Sequence, residues 1–191
     1  MRRVVVTGLG TINPLGNTVE TSWNSLISSN SGISKISKFE VEDYPCKIAG
    51  SIDDSKINDD IVNLREQKKI DRFITLGLIA ADEAIKDSGF VSDNESSFKY
   101  GVMVGSGIGG LDTIYRNSSI LDNKGIRKIS PFFIPSSLIN LLSGQISIKY
   151  NLKGPNSSPV TACATGTHAI GDSFTLIKNN KADLMICGGA E

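Results

Sequence analysis

Residues 73–81, Phe-Ile-Thr-Leu-Gly-Leu-Ile-Ala-Ala, are apolar or small at every position. Lys68-Lys69-Ile70-Asp71-Arg72 forms a polar entry before them and Ser88-Gly89 a stop after them, so the spacing predicts a helix over 68–87. A helix that is apolar on every side keeps no face for water. It has to cross the middle of something layered, and a chain of 191 residues is long enough for one domain with such a core.

The segments around it alternate. Valine-rich Arg2–Thr7 reads as a buried-type strand, Cys46–Ile52 as a possible one, Tyr100–Val104 and Asp183–Cys187 as two more. Between them lie helical patterns over 19–28, with Trp23, Leu26 and Ile27 inward, over 111–121, and from Ser136 or Ser137 to Tyr150. A last helix follows Gly166, with Ile170, Phe174 and Ile177 on one stripe. Strands that alternate with helices imply an α/β fold. A parallel strand ordinarily feeds a loop and a covering helix, so a close at Gly188-Gly189-Ala190-Glu191 reads as a cut in a longer chain.

Twenty Lys and Arg balance 20 Asp and Glu, a formal net charge of +0, so nothing global points to nucleic acid or to an anionic membrane. Any electrostatic partner must be met by a local patch. The apolar start stops at Thr7-Gly8, too short for a signal peptide, and no apolar run approaches a membrane span. The three cysteines, Cys46, Cys163 and Cys187, form no CxxC, which argues against a disulfide framework or a zinc site. The expectation is a cytoplasmic protein, in which the N-x-S matches at Asn94, Asn117 and Asn156 carry no glycosylation meaning.

Cys163 stands where an extended run, Ser157 to Ala162, gives way to small residues and then to a helix. That is one way a fold presents a nucleophile: the helix dipole and free backbone N–H groups favour the thiolate and offer donors to an oxyanion. A lone cysteine after a strand is also how a buried small hydrophobe looks. Nucleophilic catalysis needs a base, and the only histidine, His168, lies five residues on, about 140° around a helix from Cys163. It reads as a structural histidine, so the bases of a catalytic Cys163 would lie outside this chain.

Gly105-Ser106-Gly107-Ile108-Gly109-Gly110 sits between a strand and a helix and satisfies GxGxxG. The dinucleotide fingerprint also wants an acidic residue ending a second strand about 20 positions on, where this chain has polar, loop-like Leu121–Lys128. A turn lining the same cavity as Cys163, with Ile108 as an apolar contact, is the sharper reading. Arg65, Lys68 and Lys69 place three cations within five residues. At a helix start the dipole does not favour them; they are either a solvated surface or a dock for an acidic partner. Phe132-Phe133-Ile134, between Pro131 and Pro135, is core, oligomer interface or pocket wall.

These ordered motifs, from Arg3-Val4-Val5-Val6-Thr7-Gly8-Leu9-Gly10 and Pro14-Leu15-Gly16-Asn17 through Gly105–Gly110, Ser130–Pro135, Lys153-Gly154-Pro155-Asn156 and Thr161–Gly171 to Cys187–Glu191, cover essentially the whole chain. On them the chain resembles the amino-terminal half of a beta-ketoacyl-acyl carrier protein synthase, most like type II, within the thiolase-like superfamily. The resemblance implies a layered αβαβα fold built from two similar halves, residues 1–191 being the first, and a homodimer. It implies that Cys163 takes an acyl chain from acyl carrier protein as a thioester, with its backbone N–H in the oxyanion hole. Decarboxylated malonyl-acyl carrier protein then extends that chain by two carbons. Gly107, Ile108 and Phe133 match acyl-pocket positions, and Arg65, Lys68 and Lys69 match the basic patch that meets the acidic carrier protein. No cofactor beyond the carrier's phosphopantetheine is implied.

The family's two catalytic histidines, its active-site lysine and a gating phenylalanine belong to the second half, which this chain does not contain. Pro159 also stands where the family runs an ordinary strand into the cysteine, although proline has no N–H for a ladder. The expectation is a chain that cannot condense alone. The alternatives are a non-catalytic remnant that still binds carrier protein and a nucleotide-binding domain.

Overall fold

The computed structural model describes residues 2–57 and 60–191. Helix α1 (Val19–Ile27) opens on a capping box, in which Thr18 and Thr21 each accept the other's backbone N–H. Strands β1 (Ile33–Lys35) and β2 (Ile48–Gly50) form a small antiparallel pair, Ile33 opposite Gly50, so the strand expected over 46–52 is confined to its centre. Helix α2 (Leu64–Gln67) is capped by Asn63. Helix α3 (Arg72–Ser88) begins at Arg72 and not at Lys68, because the Asp71 carboxylate accepts the Phe73 N–H and fixes the start there. Gly89, at φ 64°, closes it in the left-handed conformation.

Strand β3 (Tyr100–Gly105) leads to α4 (Leu111–Lys124), then α5 (Phe133–Ser137) and α6 (Asn140–Tyr150). The single helix expected over 136–150 is therefore broken. The Ser136 and Ser137 hydroxyls both donate back to the Phe133 carbonyl, Leu138 turns extended at ψ 136°, and the Gly110 N–H takes the Ser137 carbonyl. Strand β4 (Asn156–Ser157), α7 (Thr165–Lys178) and β5 (Leu184–Gly189) complete the order.

The main sheet is parallel in the order β4-β3-β5, with Tyr100 through Gly105 in register with Leu184 through Gly189. A parallel sheet needs cover on both faces. Val102 and Val104 point to one side, where Leu142 and Ile146 of α6, Phe73, Ile74 and Leu78 of α3, and Leu152 complete the core. The alternate residues face α7, which runs along β3 and β5. As the sequence requires, α3 is the buried helix: Phe73 through Ile79 are all withdrawn from water.

Three apolar stripes are not where periodicity puts them. Arg2–Thr7 forms no strand. The carboxylates of Asp87 and Glu83 on α3 accept the Leu9 and Thr11 N–H groups, and Arg2 donates to the Ala182 carbonyl and pairs with Asp183. Gly8 and Gly10 let this segment lie against the Ala84 and Ala80 carbonyls, where any Cβ would collide. Val4–Thr7 thereby face Leu184–Cys187 across a groove of about 230 Å3, and Val6 is 77% exposed. Ile170, Phe174 and Ile177 line the same groove, while the buried positions of α7 are Thr165, Ala169 and Ser173. On α1, Trp23, Leu26 and Ile27 point outward, because polar bonds set the helix's orientation: Glu83 accepts the Val19 N–H, and Asn13 donates to buried Ser22.

Candidate active site

The approach to Cys163 is built without a full strand. The β4 ladder ends at Ser157, and Pro159 offers no N–H to continue it. Ser158 substitutes a side chain for the missing ladder bond: its hydroxyl donates to the Val104 carbonyl at 2.8 Å and lies 2.7 Å from the Ser143 hydroxyl. Gly105 leaves room for the Pro159 carbonyl, which a side chain there would strike.

The chain then turns sharply. Ala162 takes φ 49°, a left-handed conformation uncommon for alanine, and residues 162–164 make one 3-10 turn before α7 begins. Thr165 clamps the turn. Its hydroxyl accepts the Thr161 N–H at 2.9 Å and donates to the Ala162 carbonyl at 2.8 Å, and the residue is 4% exposed. Cys163 is left at the exposed apex, at the entry to a helix. Nothing in the sequence pattern singles out Thr165 except its place at a helix start, where hydroxyl residues commonly cap.

The thiol opens on a cavity of about 490 Å3 walled by Gly105–Ile108, Ala162, Thr165, Gly166 and Gly189–Glu191. Gly107 and Ile108 thus share a cavity with Cys163, as the sequence predicts. Phe133 stands outside that wall, at the first turn of α5. His168 is held by Thr161 at 3.3 Å and by Asp172 at 3.2 Å, the satisfied histidine expected. Glu191 was not anticipated: its carboxylate accepts hydrogen bonds from Ser106, Gly107 and Ile108, groups more than 80 residues away in sequence. The backbone donors that a nucleotide phosphate would use in a glycine loop are therefore already taken.

The other cysteines differ in setting. Cys187 is exposed overall, but the groups around it in its groove desolvate the thiol and push it above its ordinary value, and Cys46 donates weakly to the Ile48 carbonyl. Among the described residues no group of three or more His, Cys, Asp or Glu side chains is placed to hold a metal ion, and no helix is long and apolar enough to cross a membrane.

A second concavity, of about 580 Å3, gathers Lys68, Lys69, Arg72, Arg116 and Lys128, with Asp54, Asp71 and Asp112 among them. Arg72 is committed to Asp54 at 2.6 Å and Arg116 to Asp112 at 2.8 Å. Burial acts to raise the Asp54 carboxyl, but hydrogen bonds from Lys38 and Arg72 outweigh it and hold the group below its ordinary range. Lys69 stands 5.4 Å over the Phe132 ring. Arg65, Lys68 and Lys128 have no ion-pair partner among the described residues. Arg65 lies in α2 and Lys68 is its C-terminal cap, so these cations belong to a short helix and its end and do not begin the long one. Lys128, some 60 residues downstream in sequence, enters this basic surface only through folding.

The family model for the beta-ketoacyl synthase N-terminal domain matches residues 1–191. The chain is 48% identical to the 3-oxoacyl-[acyl-carrier-protein] synthase 2 of Rhizobium meliloti (strain 1021), covering 100% of this chain and 47% of that protein. Among solved structures it is similar to the ishigamide ketosynthase/chain length factor, with a TM-score of 0.83 at 24% identity, over 100% of this chain and 47% of that one. It is also similar to a ketosynthase solved in complex with its type II PKS acyl-carrier protein, with a TM-score of 0.73 at 27% identity over 97% of this chain and 49% of that one. The chain thus spans about half the length of the curated relatives it matches. Its helix–sheet–helix layers share the fold of these solved structures, of which the chain covers about half.

Proposed function

The chain belongs to the beta-ketoacyl synthase family, as its amino-terminal domain, and from that premise we propose that it carries the nucleophile of a 3-oxoacyl-[acyl-carrier-protein] synthase that elongates fatty acyl chains. The carrying observation is Cys163, exposed at the apex of a clamped turn and opening on a cavity walled by Gly107 and Ile108. The Cys163 sulfur, as thiolate, attacks the carbonyl of an acyl thioester. A new C–S bond forms, the C–S bond to the carrier's phosphopantetheine breaks, its thiolate takes up the proton that Cys163 gave up, and backbone N–H groups at the turn, that of Cys163 among them, receive the oxyanion. Malonyl-carrier then loses its carboxylate as carbon dioxide. The resulting carbanion attacks the Cys163 thioester, and the thiolate is released as the beta-ketoacyl product forms.

The single histidine of the chain is engaged by Thr161 and Asp172, so the groups that assist decarboxylation come from outside residues 1–191. Arg65, Lys68 and Lys69, with Lys128 in the same concavity as the two lysines, are the surface offered to an acidic carrier protein; the solved complex of a related ketosynthase with its carrier supports this role. Family membership further supports a cytoplasmic homodimer that uses no cofactor of its own. The exposed apolar residues Phe132, Ile134 and Leu138 around α5 suit a subunit interface.

The test is direct. After incubation with acyl-carrier protein, peptide mapping of the chain is expected to find the acyl group on Cys163 and not on Cys46 or Cys187. Absence of acylation at Cys163 overturns the proposal. Turnover of malonyl-carrier by the chain alone overturns the division of labour. Tight carrier binding with no acyl uptake at all would support a second reading, the non-catalytic remnant that only docks.

A further inference from the structure

The loop that leaves β3 brings three donors to one place. Oε2 of Glu191 accepts the Ser106 hydroxyl at 2.8 Å and the Gly107 N–H at 2.7 Å. The Ile108 N–H lies between the two carboxylate oxygens, 3.2 Å from one and 3.3 Å from the other. Ser106, 1% exposed, extends the network by accepting the Gly109 N–H at 3.0 Å. Polar groups of four successive residues are thus referred to one carboxylate, and successive backbone N–H groups turned inward form a concavity suited to an anion. Gly107 is also tightly flanked. A Cβ there would stand 3.3 Å from Glu191 Oε2 and 3.3 Å from the Ala162 Cα. Gly107 therefore lies between the Glu191 carboxylate and the Ala162–Cys163 turn.

We propose that Glu191 is a positioning residue: its carboxylate fixes the Ser106–Gly109 loop and so sets the width of the slot beside Cys163 that admits an acyl chain. This rests on Cys163 being the acyl-accepting thiol. The loop contributes a backbone wall at Gly107 and one apolar side chain, Ile108, itself 58% exposed. Without the carboxylate, the Gly107 and Ile108 N–H groups must find water, which draws them towards solvent and opens the wall. The consequence is lost discrimination by chain length at Cys163, with the thiol still present and reactive.

The experiment uses the 191-residue chain as wild type, Glu191→Ala and Glu191→Gln. Each is alkylated with N-ethylmaleimide and with its N-octyl analogue, and rates at each cysteine are read by peptide mass mapping. Removing a charge-assisted acceptor for three donors is expected to change the octyl-to-ethyl rate ratio at Cys163 by about 5- to 10-fold in Glu191→Ala. The ratio at Cys46, remote from the loop, stays at its wild-type value. Glu191→Gln keeps one acceptor oxygen for Gly107 and is expected to shift the ratio by about 2-fold in the same direction. Added acetate, filling the vacated concavity, moves the Glu191→Ala ratio back towards wild type. A wild-type ratio in folded Glu191→Ala overturns the proposal. If Glu191→Ala does not fold by circular dichroism, Glu191→Gln decides: a wild-type ratio there overturns it. Failure of the underlying reading shows separately, as wild-type Cys163 that takes no acyl group from acyl-carrier protein.

Discussion

The hydroxyl of Ser158 donates to the carbonyl of Val104 at 2.8 Å, and this one side-chain bond ties the approach to Cys163 onto the central strand where the ladder has stopped. Losing it strands a carbonyl in a part-buried site. Ser158→Ala is expected to lower the unfolding free energy by about 1–2 kcal/mol, measured by urea denaturation. Acyl uptake at Cys163 should slow in the same variant. Wild-type stability would mean that the carbonyl finds another donor.

The turn itself is held by Thr165 and strained at Ala162. Ala162→Gly removes the left-handed conformational cost and is expected to be neutral or stabilising by up to about 1 kcal/mol. Thr165→Ala removes two hydrogen bonds from a buried hydroxyl and is expected to cost about 1–3 kcal/mol. Thermal unfolding of both variants gives the comparison. A large loss in Ala162→Gly would contradict the strain assigned to φ 49°.

Asp82 supplies a pH-dependent part of the core's stability. It accepts from Tyr150 at 2.6 Å and pairs with Lys86 at 2.6 Å. Burial acts to raise its carboxyl, but the hydrogen bonds from Lys86 and Tyr150 prevail and hold it below the ordinary range. Burial, and then Asp82 itself, push the Tyr150 hydroxyl above its ordinary value, so it remains the donor. A depressed carboxyl contributes stability above its unfolded pKa of about 3.9, and the contribution is lost as pH falls through the folded value. Tyr150→Phe is therefore expected to cost about 1–2 kcal/mol at pH 7, and the gap should narrow below about pH 4. Melting curves at both pH values decide; a gap that widens in acid has the wrong sign.

Replacing Arg65, Lys68 and Lys69 together by Glu is expected to weaken acyl carrier protein binding by at least about 10-fold at low ionic strength, because rim charges act by steering and complementarity. The difference should shrink as salt is added. Lys128→Glu, at the same surface, is expected to act in the same direction. Calorimetry across a salt series is the measurement, and binding that survives the triple reversal unchanged excludes this face as the dock.

The sequence made some of this legible and not the rest, for physical reasons. Uninterrupted apolar character identified α3 as buried, since no face of Phe73–Ala81 suits water. The small residues around Cys163 marked the turn, and the strand-loop-helix order placed Gly107 and Ile108 beside it. Periodicity reports that a face is apolar, not what covers it. Val5, Val6, Trp23 and Phe174 all carry the pattern of core residues and are substantially open here. The break at Leu138 follows from hydroxyls bonding their own helix, a competition that hydrophobic spacing does not register. Glu191 and Lys128 reach their partners only through long-range folding, which no local pattern encodes.

Among the described residues β5 is paired on one side alone, and the groove between Val4–Thr7 and Leu184–Cys187 lies along the other. The backbone amides and carbonyls on its other side must be hydrated in this chain, and a hydrated strand edge is a template for any extended segment that arrives in register. Concentrated samples of these 191 residues will therefore meet their own amino-terminal valines as competitors for that edge. Their colloidal behaviour will be governed along that edge, whose last residue, Gly189, walls the cavity of the thiol that gives the chain its chemistry.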